Sequence, residues 1–192
     1  FNSVRLSHNS SAKALLDACD RIGILVMEES FDTWTQHKKP FDAALVFADI
    51  WEKYFKDIVD KDFNHPSVFM YSIGNEIQDL GTEDGAKWSR RLTGKIRTLD
   101  PTRYVTNAVN GLVAVLDHLP QVLDDLGIAL ETEGKTMSDD VMNDTMTALL
   151  EYVNKVAVHP ELEKKLQESY ETLDLIGMNY MRDAYDQMKE YP

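Results

Sequence analysis

The chain alternates short apolar runs with longer segments in which apolar and polar residues are mixed. Five of the apolar runs have the length of a strand, and they cover residues 4–6, 24–27, 68–73, 104–106 and 175–178. A strand that is apolar at nearly every position is typical of a parallel sheet, because both of its faces are buried. Together with the segments between them, these runs predict an α/β fold in which helices connect parallel strands.

The mixed segments carry apolar residues three or four positions apart, which is the spacing of one helix face. We expect Ser10 or Ser11 to cap the first helix and Gly23 to end it. The apolar stripes of the next three helices are Phe47, Ile50, Trp51, Tyr54, Phe55, Ile58 and Val59; Trp88, Leu92, Ile96 and Leu99; and Leu162, Leu166, Tyr170 and Leu173. A further short helix is expected around Tyr185 and Met188.

Residues 112–158 interrupt this alternation. The stretch is acidic and has no strand pattern, and Ser138 can cap a helix whose apolar residues follow at helical spacing. Four of its acidic residues are typical of a solvated face, and they are Glu131, Glu133, Asp139 and Asp140. We therefore predict a helical insertion on the scaffold.

Composition narrows the classes of function. Of 192 residues, 33 are acidic and 20 are basic, and the resulting formal net charge of −13 argues against binding to nucleic acid. The single cysteine, Cys19, lies on an apolar helix face, and it excludes an internal disulfide and a zinc site built on thiolates. No apolar run reaches the ~20 residues of a membrane span, so we expect a soluble segment that does not bind a membrane.

Polar residues stand at the ends of successive strands. The carboxyl ends of parallel strands lie at one edge of the sheet, which is where barrel active sites form. Each residue alone could cap a helix or lie in a solvated loop, but their repetition after five strands favours a shared site. A closed barrel and an open doubly wound sheet both fit, although no glycine-rich phosphate turn follows any strand. The residues at this predicted edge are Arg5, His8, Glu28, Glu29, Asp32, Gly74, Asn75, Glu76, Asn107, Asn179 and Tyr180.

Glu76 is the strongest candidate for a general acid and base. It follows closely on an apolar run, so its carboxyl group should be partly desolvated, which favours the protonated form that a general acid needs. Gly74 allows a sharp backbone turn, and Asn75 can donate a hydrogen bond to a sugar hydroxyl. The alternative is a glutamate that caps a helix or is purely structural.

Five blocks of the sequence closely resemble the barrel of glycoside hydrolase family 2, the family of β-galactosidases, β-glucuronidases and β-mannosidases. The blocks are residues 4–9, 16–23, 27–34, 62–68 and 72–76, which read VRLSHN, LDACDRIG, MEESFDTW, DFNHPSV and SIGNE. The resemblance is dense over residues 1–110 and resumes at 174–180. The ordered set is specific, whereas Gly-Asn-Glu alone would be weak.

The resemblance implies a (β/α)₈ TIM barrel of which this chain holds about strands two to six. Glu76 matches the family's acid and base at the end of strand four, and Asn75 matches the neighbour that binds the sugar 2-hydroxyl. Arg5 matches an arginine that supports the nucleophile, and Asn179 and Tyr180 lie where a tyrosine approaches it. Positions expected to contact the sugar or line its pocket are His8, Glu29, Asp32 and Trp34, together with Asn107 from the strand-end pattern. For Asp32 and Trp34 the alternative is packing within the loop.

The same resemblance places the nucleophile, a glutamate at the end of strand seven, outside this chain, and Glu190 is not assigned to it. The rest of the barrel and the family's β-sandwich domains are expected partners from the parent chain. Some members bind a metal through a glutamate and a histidine two residues later, but here Phe31 follows Glu29 at that spacing. We therefore expect no metal and no other cofactor. His65 precedes its strand, which favours a structural role at the opposite end of the barrel.

The sequence thus predicts a segment of a retaining β-glycosidase that hydrolyses terminal β-linked sugars and that is inactive in isolation. The loop 29–34 resembles the β-galactosidases most, and no basic motif for a uronate is evident, so β-galactosides are the expected substrate. One alternative is a non-catalytic carbohydrate-binding or scaffold barrel that lacks the nucleophile. Another is an unrelated barrel hydrolase, which would make no sugar contacts at its strand ends.

Overall fold

The structure is a computed structural model that describes residues 1–128 and 152–186. Its strands are β1 (Ser3–Arg5), β2 (Leu25–Glu29), β3 (Val68–Asn75), β4 (Tyr104–Val109) and β5 (Leu175–Met178). Its α-helices are α1 (Lys13–Ile22), α2 (Phe47–Asp62), α3 (Glu83–Leu99), α4 (Gly111–Ala114), α5 (Leu119–Asp125), α6 (Val153–Ala157) and α7 (Pro160–Tyr170). Short 3₁₀ turns lie at Ala43–Leu45, Gln78–Gly81, Leu116–His118 and Arg182–Ala184. All five predicted strands are confirmed, and β2, β3 and β4 extend farther toward their carboxyl ends than predicted.

The strands form one sheet in which every neighbouring pair is parallel and the spatial order is β1-β2-β3-β4-β5. In a doubly wound sheet the order reverses at a switch point, whereas in a barrel each strand pairs with the next one along the chain. The sheet is therefore part of a (β/α) barrel, and the doubly wound alternative is wrong.

Alternate side chains of each strand point toward the helices and toward the barrel axis. On the helix side, Val26 and Val105 are fully buried in the core. On the axis side, Leu25, Tyr104 and Leu175 are 45%, 57% and 36% exposed. The axis of a closed barrel is filled by side chains from all strands. In an incomplete barrel the apolar side chains on the axis side therefore stay exposed, as they do here.

An aromatic cluster holds the loop after β2 against the outer helices. The ring of Phe31 lies 5.0 Å from Phe47, 4.6 Å from Tyr54 and 5.6 Å from Phe55, measured between centroids. Trp88 of α3 lies 4.9 Å from Phe47 in an edge-on arrangement. Pairs in this geometry add to the free energy gained from apolar burial. The core therefore anchors the loop that leads from β2 to the carboxyl edge of the sheet, which we call the rim.

The start of α1 differs from the prediction. Its N-cap is Ala12, and Ser10 and Ser11 instead donate their hydroxyl groups to the buried carboxylate of Glu28 at 2.8 and 2.7 Å. Glu28 therefore faces the helices. The two serines stabilise its buried charge and do not cap the free N–H groups at the start of the helix. Gly23 ends the helix in the left-handed conformation, with φ 74°, as predicted.

The described part of the predicted insertion, residues 112–128 and 152–158, is largely helical and contains α5, α6 and most of α4. Several predicted positions lie outside the described residues, and they are Ser138, Glu131, Glu133, Asp139, Asp140, Met188 and Glu190. Among the helices of the two described ranges, none has the length and apolarity of a membrane span.

Candidate active site

Four side chains meet at the carboxyl edge of the sheet, and one of them, Arg5, donates hydrogen bonds to the other three. Arg5, the last residue of β1, donates from Nε and Nη2 to the Glu29 carboxylate at 3.0 and 3.2 Å. It also donates to Asn75 Oδ1 at 2.7 Å and to Asn179 Oδ1 at 3.1 Å. Glu29 ends β2, Asn75 ends β3 and Asn179 follows β5 directly. These contacts confirm that residues up to 174 positions apart share one edge.

A β-bulge in β3 turns Asn75 toward this cluster. Ser72 pairs with Thr106 of β4 and Asn75 pairs with Ala108, so β3 advances one residue more than its neighbour. In a regular strand Ser72 and Asn75 would point to opposite faces. With the extra residue both reach the barrel axis, where Ser72 Oγ donates to Glu29 Oε2 at 2.9 Å.

Glu29 is fully buried, and its carboxylate is shared by three partners. Besides Arg5 and Ser72, His8 Nδ1 lies 2.6 Å from Glu29 Oε1. A buried carboxylate needs such compensation, because its desolvation is costly. Glu29 therefore lies beneath the rim and positions Arg5 and His8, whereas the sequence predicted a residue that lines the sugar pocket.

Glu76 lies directly after β3 and is partly buried. Its backbone adopts the left-handed region, with φ 48°, and its N–H donates to the Ala108 carbonyl at 2.7 Å. Each carboxyl oxygen accepts one amide hydrogen bond, from Asn179 at 2.8 Å and from Asn110 at 3.2 Å. Residues held in such a sparsely populated conformation cluster at functional sites, because the surrounding structure must hold them there. The Glu76 carboxyl group is thus fixed at the rim.

Asn179 orients its neighbours through both hydrogens of its amide nitrogen. Nδ2 donates to Asn75 Oδ1 at 3.0 Å and to Glu76 Oε1 at 2.8 Å, while Oδ1 accepts from Arg5. An amide nitrogen has only two hydrogens, so none remains for a ligand. The adjacent Tyr180 also has a left-handed backbone, with φ 64°, and the residue is 60% exposed at the rim.

A charged pair that includes an unpredicted residue lies beside Asn75. Asn75 Nδ2 donates to Asp32 Oδ1 at 2.8 Å, and Lys38 Nζ donates to the same oxygen at 2.9 Å. Lys38 Nζ also donates to the Asn75 carbonyl at 2.9 Å. No pattern in the sequence marks Lys38, because its loop has no period and its backbone is held by Asp42, which accepts the Lys38 N–H at 2.7 Å.

Trp34 lies below the rim and outside the pocket. Its side chain has no exposed surface, its Nε1–H donates to the Ile73 carbonyl at 3.0 Å, and its ring stacks on Phe47 with centroids 6.4 Å apart. A ring without accessible surface cannot contact a sugar. Trp34 therefore does not line the sugar pocket as expected. It packs the loop against the core, which was the alternative for this residue.

The expectation that Asn107 ends the fourth strand is wrong. β4 continues to Val109, and Asn107 is a buried interior residue on the helix side, the face of Val105 and Val109. Neither its Oδ1 nor its Nδ2 has a hydrogen-bond partner in the part of the chain that the structure describes. The residue that reaches the rim is Asn110, which donates to Glu76. Because the apolar run signals only the first half of β4, the sequence placed the strand end three residues too early.

His65 lies at the opposite edge of the sheet, before β3, as predicted. Its Nδ1 is 2.6 Å from Asp20 Oδ2, and the Ser67 N–H donates to Asp20 Oδ1 at 2.9 Å. Burial opposes ionisation of this carboxyl group, but the hydrogen bonds from Ser67 and His65 outweigh it and lower the pKa of Asp20 to about 2. These contacts tie α1 to the segment that precedes β3 and belong to the scaffold.

Each of the two permanent cations at the carboxyl edge is paired with a carboxylate: Arg5 with Glu29, and Lys38 with Asp32. This balance does not favour an anionic ligand. Within residues 1–128 and 152–186, no three histidine, cysteine or acidic side chains are arranged to hold a metal ion. The arrangement can bind a neutral polar ligand and transfer a proton through the carboxyl group of Glu76, which is oriented and partly buried.

Relatives of this chain are known from sequence and from structure. The family described as glycosyl hydrolases family 2, TIM barrel domain, matches residues 1–192. A β-galactosidase of Bacteroides ovatus is 50% identical over 140 residues, covering 57% of this chain and 16% of that protein. A β-glucuronidase of Sus scrofa is 33% identical over 105 residues, covering 55% of this chain and 16% of that protein.

A crystal structure of a glycosyl hydrolase family 2 member from Bacteroides cellulosilyticus superposes with a TM-score of 0.69 and 32% identity. The superposition covers 99% of this chain and 18% of that one. The chain therefore spans less than a fifth of these relatives.

Proposed function

Because this chain belongs to glycoside hydrolase family 2, we propose that its rim cluster is part of the active site of a retaining β-glycosidase. The observation that carries the proposal is Glu76, a partly buried carboxyl group held at the carboxyl edge of a barrel sheet by Asn110 and Asn179. Relatives that bear the names β-galactosidase and β-glucuronidase support the same class of reaction.

In this proposal Glu76 transfers a proton in each half of the reaction. As the acid it protonates the leaving glycosidic oxygen, while a glutamate outside these residues attacks the anomeric carbon and forms the glycosyl-enzyme intermediate. As the base it then takes a proton from the water that hydrolyses this intermediate. Retention requires the two carboxyl groups to lie about 5–5.5 Å apart, so the nucleophile is expected close to Glu76 and Arg5.

The remaining rim residues hold the sugar. Asn75 donates one amide hydrogen to Asp32. The other has no acceptor among the described residues, so it is available for the 2-hydroxyl next to the reacting carbon. The imidazole of His8, whose side chain is 39% exposed, and the accessible ring of Tyr180 are the further sugar contacts in this proposal.

The proposed substrate is a terminal β-galactoside. The 50% identity to the β-galactosidase of Bacteroides ovatus favours it. The pairing of Arg5 with Glu29 and of Lys38 with Asp32 also favours it, because it leaves neither cation unbalanced for an anionic sugar. The other domains of the parent chain and the rest of the barrel would complete the site.

The test is Glu76→Ala in the full-length protein, measured on two β-galactosides that differ in leaving group. With an alkyl leaving group the variant should lose about 10²- to 10⁴-fold in kcat/KM, because proton transfer to the leaving oxygen is then essential. With a nitrophenol leaving group the loss in kcat/KM should be much smaller, because that group departs without protonation. A suitable control is Glu83→Ala, which removes an exposed carboxyl group at the start of α3.

Equal turnover of the alkyl galactoside by the variant and the wild type would rule out the acid function of Glu76. The second candidate function, a carbohydrate-binding barrel without catalysis, predicts that the wild type binds galactose but hydrolyses neither substrate.

A further inference from the structure

We propose that Lys38 and Asp32 bind two adjacent hydroxyl groups of a neutral sugar ring, with Lys38 as the hydrogen-bond donor and Asp32 as the acceptor. The inference rests on the proposed glycosidase function and adds to it a substrate-binding lysine that none of the sequence motifs contains.

Both side chains have hydrogen-bonding capacity that the protein does not use. Within the described part of the chain, the Asp32 carboxylate accepts only from Asn75 and Lys38, both at Oδ1, so Oδ2 is available to a ligand. The Lys38 ammonium has three hydrogens, of which two point to Asp32 Oδ1 and to the Asn75 carbonyl. One donor and one acceptor therefore remain side by side, which is the pattern that two neighbouring hydroxyl groups require.

The pair lies within reach of a sugar that Glu76 cleaves. A continuous series of hydrogen bonds runs from Glu76 through Asn179 and Asn75 to Asp32 and then to Lys38. The Asp32 side chain is 47% exposed and that of Lys38 is 21% exposed, so the ion pair is accessible from the rim. Since Asn75 stands between the pair and Glu76, the pair faces ring positions beyond the 2-hydroxyl.

The charges favour hydroxyl groups over a carboxylate as the ligand. Lys38 Nζ is 2.9 Å from Asp32 Oδ1, so its positive charge is already balanced. A uronate carboxylate placed against the ammonium would also meet the second Asp32 oxygen and be repelled by it. Hydroxyl groups donate to one member and accept from the other, so they satisfy both without added charge.

The geometry of the pair is set before the sugar arrives. Asp42 accepts the backbone N–H groups of Lys38 and Lys39 at 2.7 and 2.9 Å and that of Ala44 at 3.0 Å. This carboxylate fixes the turn that carries Lys38. A side chain ordered in advance loses less conformational entropy on binding, which strengthens the contact.

The experiment measures kcat/KM of the full-length protein for nitrophenyl β-galactoside and for its 3-deoxy, 4-deoxy and 6-deoxy analogues. The variants are Lys38→Met and Asp32→Asn, and the matched control is Lys53→Met, which removes an exposed lysine of α2. Lys38→Met should lower kcat/KM for the complete sugar by about 10- to 100-fold, as expected for a hydrogen bond to a charged group. For the one analogue that lacks the recognised hydroxyl the further loss should be under about threefold, because the contact is already absent.

Asp32→Asn should show the same pattern with the analogue at the neighbouring position, and it tests the pair independently if Lys38→Met does not fold. An equal loss on all four substrates would overturn the proposal, since Lys38 would then act only by positioning Asp32. A wild-type preference for nitrophenyl β-glucuronide that disappears in Lys38→Met would overturn the assignment to hydroxyl groups. A wild type that hydrolyses no β-glycoside would refute the proposed function itself.

Discussion

Asp62, the last residue of α2, is a buried carboxyl group that the proposed chemistry does not use. Its side chain has no exposed surface, and Lys61 Nζ lies 2.6 Å from its Oδ1 and 3.1 Å from the buried carboxylate of Glu28. The pKa of Asp62 is raised from 3.8 to about 6, mainly by burial; repulsion from Glu28 adds to the rise, and the interactions with Lys61 and His65 oppose it. The position at the carboxyl end of a helix also disfavours the negative charge.

This shift in pKa makes the stability of the fold depend on pH. The folded state holds the proton of Asp62 more tightly than the unfolded chain, so ionisation costs stability as the pH rises from about 4 to above 6. The difference between pKa 3.8 and about 6 corresponds to about 3 kcal/mol. Asp62→Asn removes the ionisable group, so we expect the variant to be about 2–3 kcal/mol more stable than the wild type at pH 8. At pH 4 the two should be nearly equal.

The assay is urea denaturation of the full-length protein at pH 4, 6 and 8, followed by tryptophan fluorescence, because Trp51 lies on α2 and packs on Trp88. Asp60→Asn is the matched control on the same helix, since the Asp60 side chain is 57% exposed and pairs with Lys56 at the surface. A stability difference between Asp62→Asn and the wild type that is the same at pH 4 and pH 8 would refute the reasoning. A variant less stable at pH 8 would mean that the contact with Lys61 outweighs the cost of burial.

Two further predictions concern packing and the incomplete barrel. Gly81→Ala would place a methyl group 1.8 Å from the Ala114 carbonyl oxygen, so we expect the free energy of unfolding to fall by about 1–3 kcal/mol. Gly94 lies on α3, and a methyl group there would meet no atom within 4 Å, so Gly94→Ala should raise the free energy of unfolding by up to about 1 kcal/mol. Equal melting temperatures for the two variants in thermal unfolding would contradict this. The chain of 192 residues produced alone should hydrolyse no nitrophenyl β-glycoside, because the nucleophile is expected outside it, and it should self-associate in size-exclusion chromatography through the exposed Leu25, Tyr104 and Leu175. Turnover by a pure preparation of the segment would refute the strand assignment, and a monodisperse monomer would refute the account of its exposed face.

The sequence alone was sufficient for the scaffold and for the position of the rim. Strands buried on both faces and helices with one apolar face leave periodic patterns that need no knowledge of distant contacts. The sequence also predicted that Gly23 ends α1, because only a residue without Cβ adopts the left-handed backbone of that position at little cost. The order of polar residues after successive strands predicted that Arg5, Asn75 and Asn179 share one edge, since parallel strands bring their carboxyl ends together.

The tertiary structure decided which side chains at that edge are accessible and what each one binds. The bulge that turns Asn75 inward arises from pairing with β4, and the same pairing extends β4 so that Asn110, not Asn107, reaches Glu76. Trp34 is buried and donates to the Ile73 carbonyl, and Lys38 is placed by its bonds to Asp32 and to the distant Asn75 carbonyl. Such features depend on residues far apart in the chain, because a side chain's burial and partners are set by the elements packed around it, and local patterns do not encode them.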